Sequence, residues 1–205
     1  MRMRPLYAVL AVIVTIALSA LPAHAQFDVA GSFYKTFNTS TTGNGTNQTQ
    51  AASAGFLLEG RYIKSTFLGG EISYGFNPAN QSYTVDKGSC GFTCNTQAEA
   101  VKAYANDISF NWVVSKQFGN LRPFGVAGLG FVLTVPPGNE YALNTAVKPA
   151  YVFGGGVDWA MTKRFGLRAQ MRDNVYSAPN ATFAFPATRK FMQLAQPAFG
   201  VYFRP

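Results

Sequence analysis

The chain has 205 residues, of which 48% are hydrophobic, 15% aromatic and 13% charged, with a formal net charge of +8. A disordered chain would carry more charge and fewer rings, and a helical membrane protein would show apolar runs of about 18 residues or more, so both classes are excluded. Twenty glycines, abundant rings and few helix-favouring stretches predict strands rather than helices.

The N-terminal segment stands apart. Arg2 and Arg4 precede the uncharged apolar stretch Leu6 to Leu21, Pro22 breaks it, and Ala23-His24-Ala25 has the small-residue form of a cleavage site. The stretch falls short of the roughly 20 residues a spanning helix needs. Residues 1–25 are therefore predicted as a signal peptide and residues 26–205 as one domain. Cleavage leaves fifteen basic and nine acidic residues, a net charge of +6. It also removes His24, the only histidine, and with it the commonest general base and most zinc sites.

From Gln26 onward the alternation of side chains has period two, the signature of strands with two unlike faces. Phe27 to Phe37 is the first such run. The segment Asn38 to Ser53, nearly all Asn, Thr, Ser, Gly, Gln and Ala, is predicted as a mobile, solvated loop. Phe56 to Ile63 then sets Phe56, Leu58 and Tyr62 against Glu59 and Arg61, and a short turn at Lys64 to Thr66 follows. Phe67 to Asn77 sets Leu68, Ile72, Tyr74 and Phe76 against Gly69, Glu71, Ser73 and Gly75. After the long connection Asn77 to Ala103, the run Tyr104 to Ser115 sets Ile108, Phe110, Trp112 and Val114 against Asp107, Ser109, Asn111 and Ser115.

A short turn, Lys116 to Leu121, leads into the weaker run Arg122 to Val132, and Leu133 to Val147 is again long. Lys148 to Ala160 sets Tyr151, Phe153, Val157 and Trp159 against Gly154, Gly156 and Asp158. Past the turn Met161 to Lys163, the run Arg164 to Val175 sets Phe165, Leu167, Ala169 and Met171 against Gly166, Arg168, Gln170, Arg172 and Asn174. The long connection Ser177 to Lys190 precedes the last run, Gln196 to Arg204. Eight strands joined by alternately short and long connections describe an all-β, eight-stranded antiparallel up-and-down barrel.

A soluble barrel hides its apolar face and a membrane barrel shows it to lipid, and alternation alone does not choose between them. Three features favour the membrane arrangement. Glu59, Arg61, Glu71, Asp107, Asp158, Arg168 and Arg172 put both signs of charge on the polar face, where a narrow interior could neutralise them. That face is also rich in glycine and serine. The rings gather near strand ends, with Phe27, Phe37, Trp112, Tyr151, Trp159 and Phe203 as candidates for two aromatic girdles. The rival is a secreted lipid-binding barrel whose rings fill a core. Eight strands of about 9 to 11 residues leave ample chain for loops, whereas sixteen would leave almost none, which excludes a general porin.

The segment Tyr151 to Arg172 resembles the penultimate hairpin of the small bacterial outer-membrane β-barrels, among them the membrane domain of outer-membrane protein A and the opacity proteins. Arg122-Pro-Phe-Gly-Val-Ala-Gly-Leu-Gly130 is similar to their fifth strand and Pro197 to Arg204 to their last. The resemblance implies location in the outer membrane, with termini and short turns in the periplasm and long loops outside. It implies contact with outer-membrane lipid and lipopolysaccharide, and with the barrel assembly machinery, which reads a terminal aromatic residue. Here Phe203 is followed by Arg204 and Pro205, a displacement of two residues. The family's members anchor, adhere or pass small molecules, so an extracellular ligand met by the loops is expected, with no single activity implied.

The charged cluster admits two readings. It is a plug of ion pairs that fixes register, or a gate on a narrow conduit for ions or small apolar molecules; the cost of burying one charge without its partner favours the plug. Cys90 and Cys94, spaced Cys-Gly-Phe-Thr-Cys in a long connection, predict a disulfide in an oxidising envelope. No histidine-dependent site can be assembled from residues 26–205 and no nucleophile motif stands out, so no catalytic residue, metal site or cofactor is expected. The basic residues are scattered, with Lys64, Lys116, Arg122, Lys163 and Arg164 at short turns and Arg189 and Lys190 in a long connection. That scatter argues against nucleic acid and for anionic lipid headgroups.

Overall fold

The computed structural model describes residues 26–64, 67–85, 98–137, 145–182 and 186–205. The segment read as a signal peptide and the pair Cys90 and Cys94 lie outside the described residues. Among the described residues, twelve strands run in chain order: β1 (Gln26–Lys35), β2 (Thr39–Gly43), β3 (Thr46–Gln50), β4 (Ala54–Ile63), β5 (Leu68–Pro78), β6 (Gln81–Val85), β7 (Ala98–Val101), β8 (Tyr104–Ser115), β9 (Leu121–Val135), β10 (Ala146–Ala160), β11 (Phe165–Ser177) and β12 (Phe191–Phe203).

Eight of them close a barrel in the order β1-β12-β11-β10-β9-β8-β5-β4. The seam is made by β1, which pairs antiparallel with β4 from Gln26 opposite Ile63 to Lys35 opposite Ala54, and with β12 from Val29 opposite Phe203 to Tyr34 opposite Ala198. Closure satisfies every edge that an open sheet would leave bare. The wall is inverted relative to a soluble protein. Phe33 is 81% exposed and Trp112 68%, while Arg61 and Arg168 are fully buried. The alternation read from the sequence carries over, since every second residue of each barrel strand points out. The chain ordering of strands and the all-β barrel class are as expected from that alternation.

Tight connections lie at one end, here the turn end. Between β8 and β9, Phe118 and Leu121 bridge across Gly119, whose φ of +58° suits a residue without a side chain. Between β10 and β11, Thr162 Oγ1 accepts hydrogen bonds from the backbone N–H of Phe165 at 2.9 Å and Arg164 at 3.3 Å. The opposite, loop end is reached by longer strands. β9 and β10 have fifteen residues each, against the roughly 9 to 11 that a tilted membrane strand needs, so both project past the wall at the loop end.

The expectation of a mobile loop over Asn38 to Ser53 is corrected by a second sheet of four strands in the order β2-β3-β6-β7. Gly43 pairs with Thr46 across Asn44 and Gly45, whose φ values of 53° and 74° make the tight two-residue hairpin that Asn-Gly favours. Polar composition leaves only part of this segment solvated: Ser40, Thr42, Asn44, Ala51 and Ala52 are exposed, whereas Thr41, Thr46, Gln48 and Gln50 are buried. The last barrel strand likewise begins at Phe191, five positions before the expected start at Gln196.

Candidate functional site

The lumen is built by register. Arg61 lies directly across from Asp28 on β1 and Glu71 on β5, and Asp158 lies across from Arg122 on β9 and Arg168 on β11. Period-two alternation turns these side chains inward, and glycine opposite a long one makes room: Arg168 faces Gly200 and Arg172 faces Gly154. Four arginines and four carboxylates then meet in one buried layer, each side chain at most 5% exposed.

Within it, Arg61 Nη2 stands 2.7 Å from Glu71 Oε2, and Arg122 Nη2 lies 2.7 Å from Asp28 Oδ2 and 2.8 Å from Asp158 Oδ2. Arg168 donates through Nε to Asp158 Oδ1 at 2.7 Å and through Nη2 to Asp28 Oδ1 at 2.8 Å. Arg172 Nη2 donates to Glu59 and to Glu71, joining β11 to β4 and β5. Neutral groups complete the layer, with Gln170 donating to Glu59 at 2.9 Å and Asn111 to Glu71 at 3.0 Å. Equal numbers of opposite charges, multiply hydrogen-bonded, are the condition under which buried ions are tolerated.

Apolar layers bracket the charges. Toward the turn end sit Ile63, Val113, Phe124 and Val126, with the Arg61 guanidinium 4.1 Å from the centre of the Phe124 ring. Toward the loop end Ala79, Ala105, Val132, Ala150, Tyr176 and Leu194 pack together. Above them Tyr176 donates to Gln50 at 3.1 Å, and Gln48 donates to Gln81 at 3.0 Å and to the Pro179 carbonyl at 2.6 Å. The four-stranded sheet is thereby tied to the strap between β11 and β12, which Thr41 and Asn44 also hold through Thr188 and the Ala187 carbonyl. Tyr83 accepts from Ala181 N–H at 3.0 Å, and burial pushes its phenol up to about 12. Charged and apolar layers thus follow one another through the interior.

Of the seven charged residues singled out from the sequence, Glu59, Arg61, Glu71, Asp158, Arg168 and Arg172 lie in this layer. Asp107 does not join them. It is buried opposite Gly75, which leaves space for its carboxylate, and among the described residues it makes no ion pair. Two members escaped the sequence reading. Asp28 shares the inward parity of Ala30 and Ser32, a signal available in β1. Arg122 was expected at a turn, but it is the second residue of β9 and is buried, sharing the inward parity of Phe124 and Val126.

The rings form less of a pair of belts than expected. Phe27, Trp112, Trp159 and Phe203 do lie toward the turn end, with Phe37 and Tyr151 toward the loop end, yet Phe110 and Phe199 are mid-strand and outward. Glycine is also found on the outer face, at Gly31, Gly60 and Gly70, and not only inside.

No protein-family model matches the chain, and no curated protein does. Solved structures do. Neisserial surface protein A is 14% identical, with 87% of this chain and 97% of that one covered and a TM-score of 0.59. The outer membrane protein OprG from Pseudomonas aeruginosa is 13% identical over 88% and 96%, with a TM-score of 0.56. The outer membrane protein AlkL, solved in lipid bilayers, is 13% identical over 91% and 92%, with a TM-score of 0.51. At such identities the likeness is one of fold, and it agrees with the inverted wall and the closed order of strands. The chain has the fold of the small eight-stranded outer-membrane β-barrels.

Proposed function

We propose that this protein is an integral outer-membrane barrel that conducts nothing and serves to hold a preformed surface outside the cell, in a structural or surface-interaction role. The observation that carries the reading is the pairing of a neutral, bracketed ionic layer in the lumen with a hydrogen-bonded sheet of loop strands above it. A barrel built to conduct would keep water in its interior. A sheet tied by side-chain hydrogen bonds to the strap between β11 and β12 is suited to presenting a fixed face to an extracellular ligand. In this reading the turn end is periplasmic and the loop sheet external, after export by a cleaved signal peptide. Lipopolysaccharide surrounds the external half, the barrel assembly machinery inserts the chain, and Cys90 and Cys94 pin a loop tip as a disulfide. The role is non-enzymatic, in keeping with the lack of histidine after residue 25.

Single-channel recording in a planar bilayer tests this directly, with an unbroken baseline expected across the voltage range. The second reading, a gated narrow conduit, draws on Asp107, a buried carboxylate without an ion pair that offers Arg172 an alternative partner. Conductance steps that vanish in Asp107→Asn would replace the first reading by the second.

A further inference from the structure

The outer wall is not uniformly convex. Across β1, β4, β5 and β8 run two adjoining hollows of about 440 and 560 Å³ that share Gly60 and Ile72. Gly60 and Gly70 floor them, and Leu58, Ile72, Phe110 and Trp112 rise at the sides. A Cβ on Gly70 would meet nothing within 4 Å, so the floor is open rather than packed. From Ile108 to Trp112 the groove follows β8 for about 13 Å at the rise of a strand.

At its turn end the groove meets charge. Lys64 follows Ile63 at the end of β4, and Lys116 follows Ser115, whose N–H donates to the Phe67 carbonyl at 2.8 Å. Both lysines therefore flank the start of β5, are exposed, and continue the outward parity of Tyr62 and Val114. Lys116 rests over the Phe118 ring at 5.2 Å. The side chains of the rim agree in sign: Lys64, Lys116, Lys163, Arg164 and Arg204 lie there, and among the described residues it has no acidic side chain.

We propose that this groove binds an anionic phospholipid of the periplasmic leaflet, one acyl chain lying over Gly60 and Gly70 and the phosphate between Lys64 and Lys116. The inference rests on the membrane reading above and adds to it a site and a ligand class. The charge decides the occupant. A second copy packed on this face about a twofold axis would bring like lysine pairs toward each other, whereas an anionic headgroup neutralises them. A slot that is apolar along its length and basic at one mouth matches an amphiphile with an anionic head.

The two tryptophans allow a direct test, because Trp112 lines the groove and Trp159 lies on β10. Trp159→Phe protein would be folded into phosphatidylcholine vesicles holding a low fraction of phosphatidylglycerol or phosphatidylcholine brominated on its acyl chains. Heat-modifiable gel mobility, read first, establishes the folded barrel independently of lipid choice. Quenching of Trp112 should show roughly tenfold or greater enrichment of the anionic lipid, the scale set by two basic side chains at a membrane surface. Lys64→Gln with Lys116→Gln should abolish the enrichment, and Gly70→Val, which fills the floor, should reduce it. Equal quenching by both lipids overturns the proposal, as does enrichment that survives the lysine changes or is untouched by Gly70→Val. Absence of quenching together with concentration-dependent cross-linking would assign the groove to a second copy instead.

Discussion

Arg168 and Asp28 are 140 positions apart in the chain, yet Arg168 Nη2 lies 2.8 Å from Asp28 Oδ1 in the lumen. Their strands, β11 and β1, are not neighbours, since β12 runs between them. The pair thus spans the seam where the first and last strands meet, and it couples closure of the wall to neutrality of the interior. Replacing Asp28 with Ala would leave Arg168 and Arg122 to share Asp158 and set four buried arginines against three carboxylates, and removal of one partner from a buried pair costs about 3 to 5 kcal/mol. Urea unfolding in lipid vesicles should show that loss for Asp28→Ala. Asp107→Asn, which breaks no ion pair, should stay within about 1 kcal/mol of the parent.

The outer wall makes a complementary prediction. Phe199 is mid-strand on β12, outward, and paired with Phe33 and Ala169. Arginine at that site meets hydrocarbon, where a charge near the midplane costs about 2 to 4 kcal/mol. Phe199→Arg should lower the unfolding midpoint in vesicles accordingly. The same change at exposed Phe37, beyond the end of β1, should cost far less.

The loop sheet depends on one turn. With φ of 74° at Gly45, a β-branched residue there is strained, and Gly45→Val should destabilise the β2–β3 hairpin by about 1 kcal/mol or more. Protease added outside should then cut between residues 38 and 53 faster than in the parent. Heat-modifiable mobility of the barrel should not change, because the hairpin forms no barrel strand.

Tyr83 supplies a pH dependence. Its folded phenol is raised from 10.0 to about 12 by burial, so its contribution to the sheet is complete below pH 10 and is lost as pH rises through about 12. Protease resistance of the loop strands should fall over that interval. Tyr83→Phe, which cannot ionise, should lose the hydrogen bond accepted from Ala181 at every pH and show no such fall from this site.

Much of this was legible in the chain because a membrane barrel repeats one rule. Period-two alternation from Phe56 to Ile63 or from Phe165 to Val175 specifies which side chains share a face without any long-range information. The rule failed where composition outweighed pattern. In Asn38 to Ser53 every side chain is polar or small, so alternation carries no hydrophobic contrast, and only the Asn44-Gly45 pair marked the hairpin. Arg122 was misplaced for a related reason, as a strand's first residues look like the turn before it.

What the sequence by itself determined is the wall: strand number, the two faces, and the separation of short turns from long loops. Each of these is local, set by the geometry of an extended backbone and the lengths of its connections. Which charges meet was decided only by tertiary structure. Closing eight strands at one particular stagger brings Arg168 beside Asp28 and leaves Asp107 without an ion pair, although all three share the inward face. The same stagger sets Gly60 diagonally across from Gly70 on the outer side, and a groove opens there. Alternation sorts side chains between inside and outside, but their height in the barrel depends on shear, which no single strand encodes.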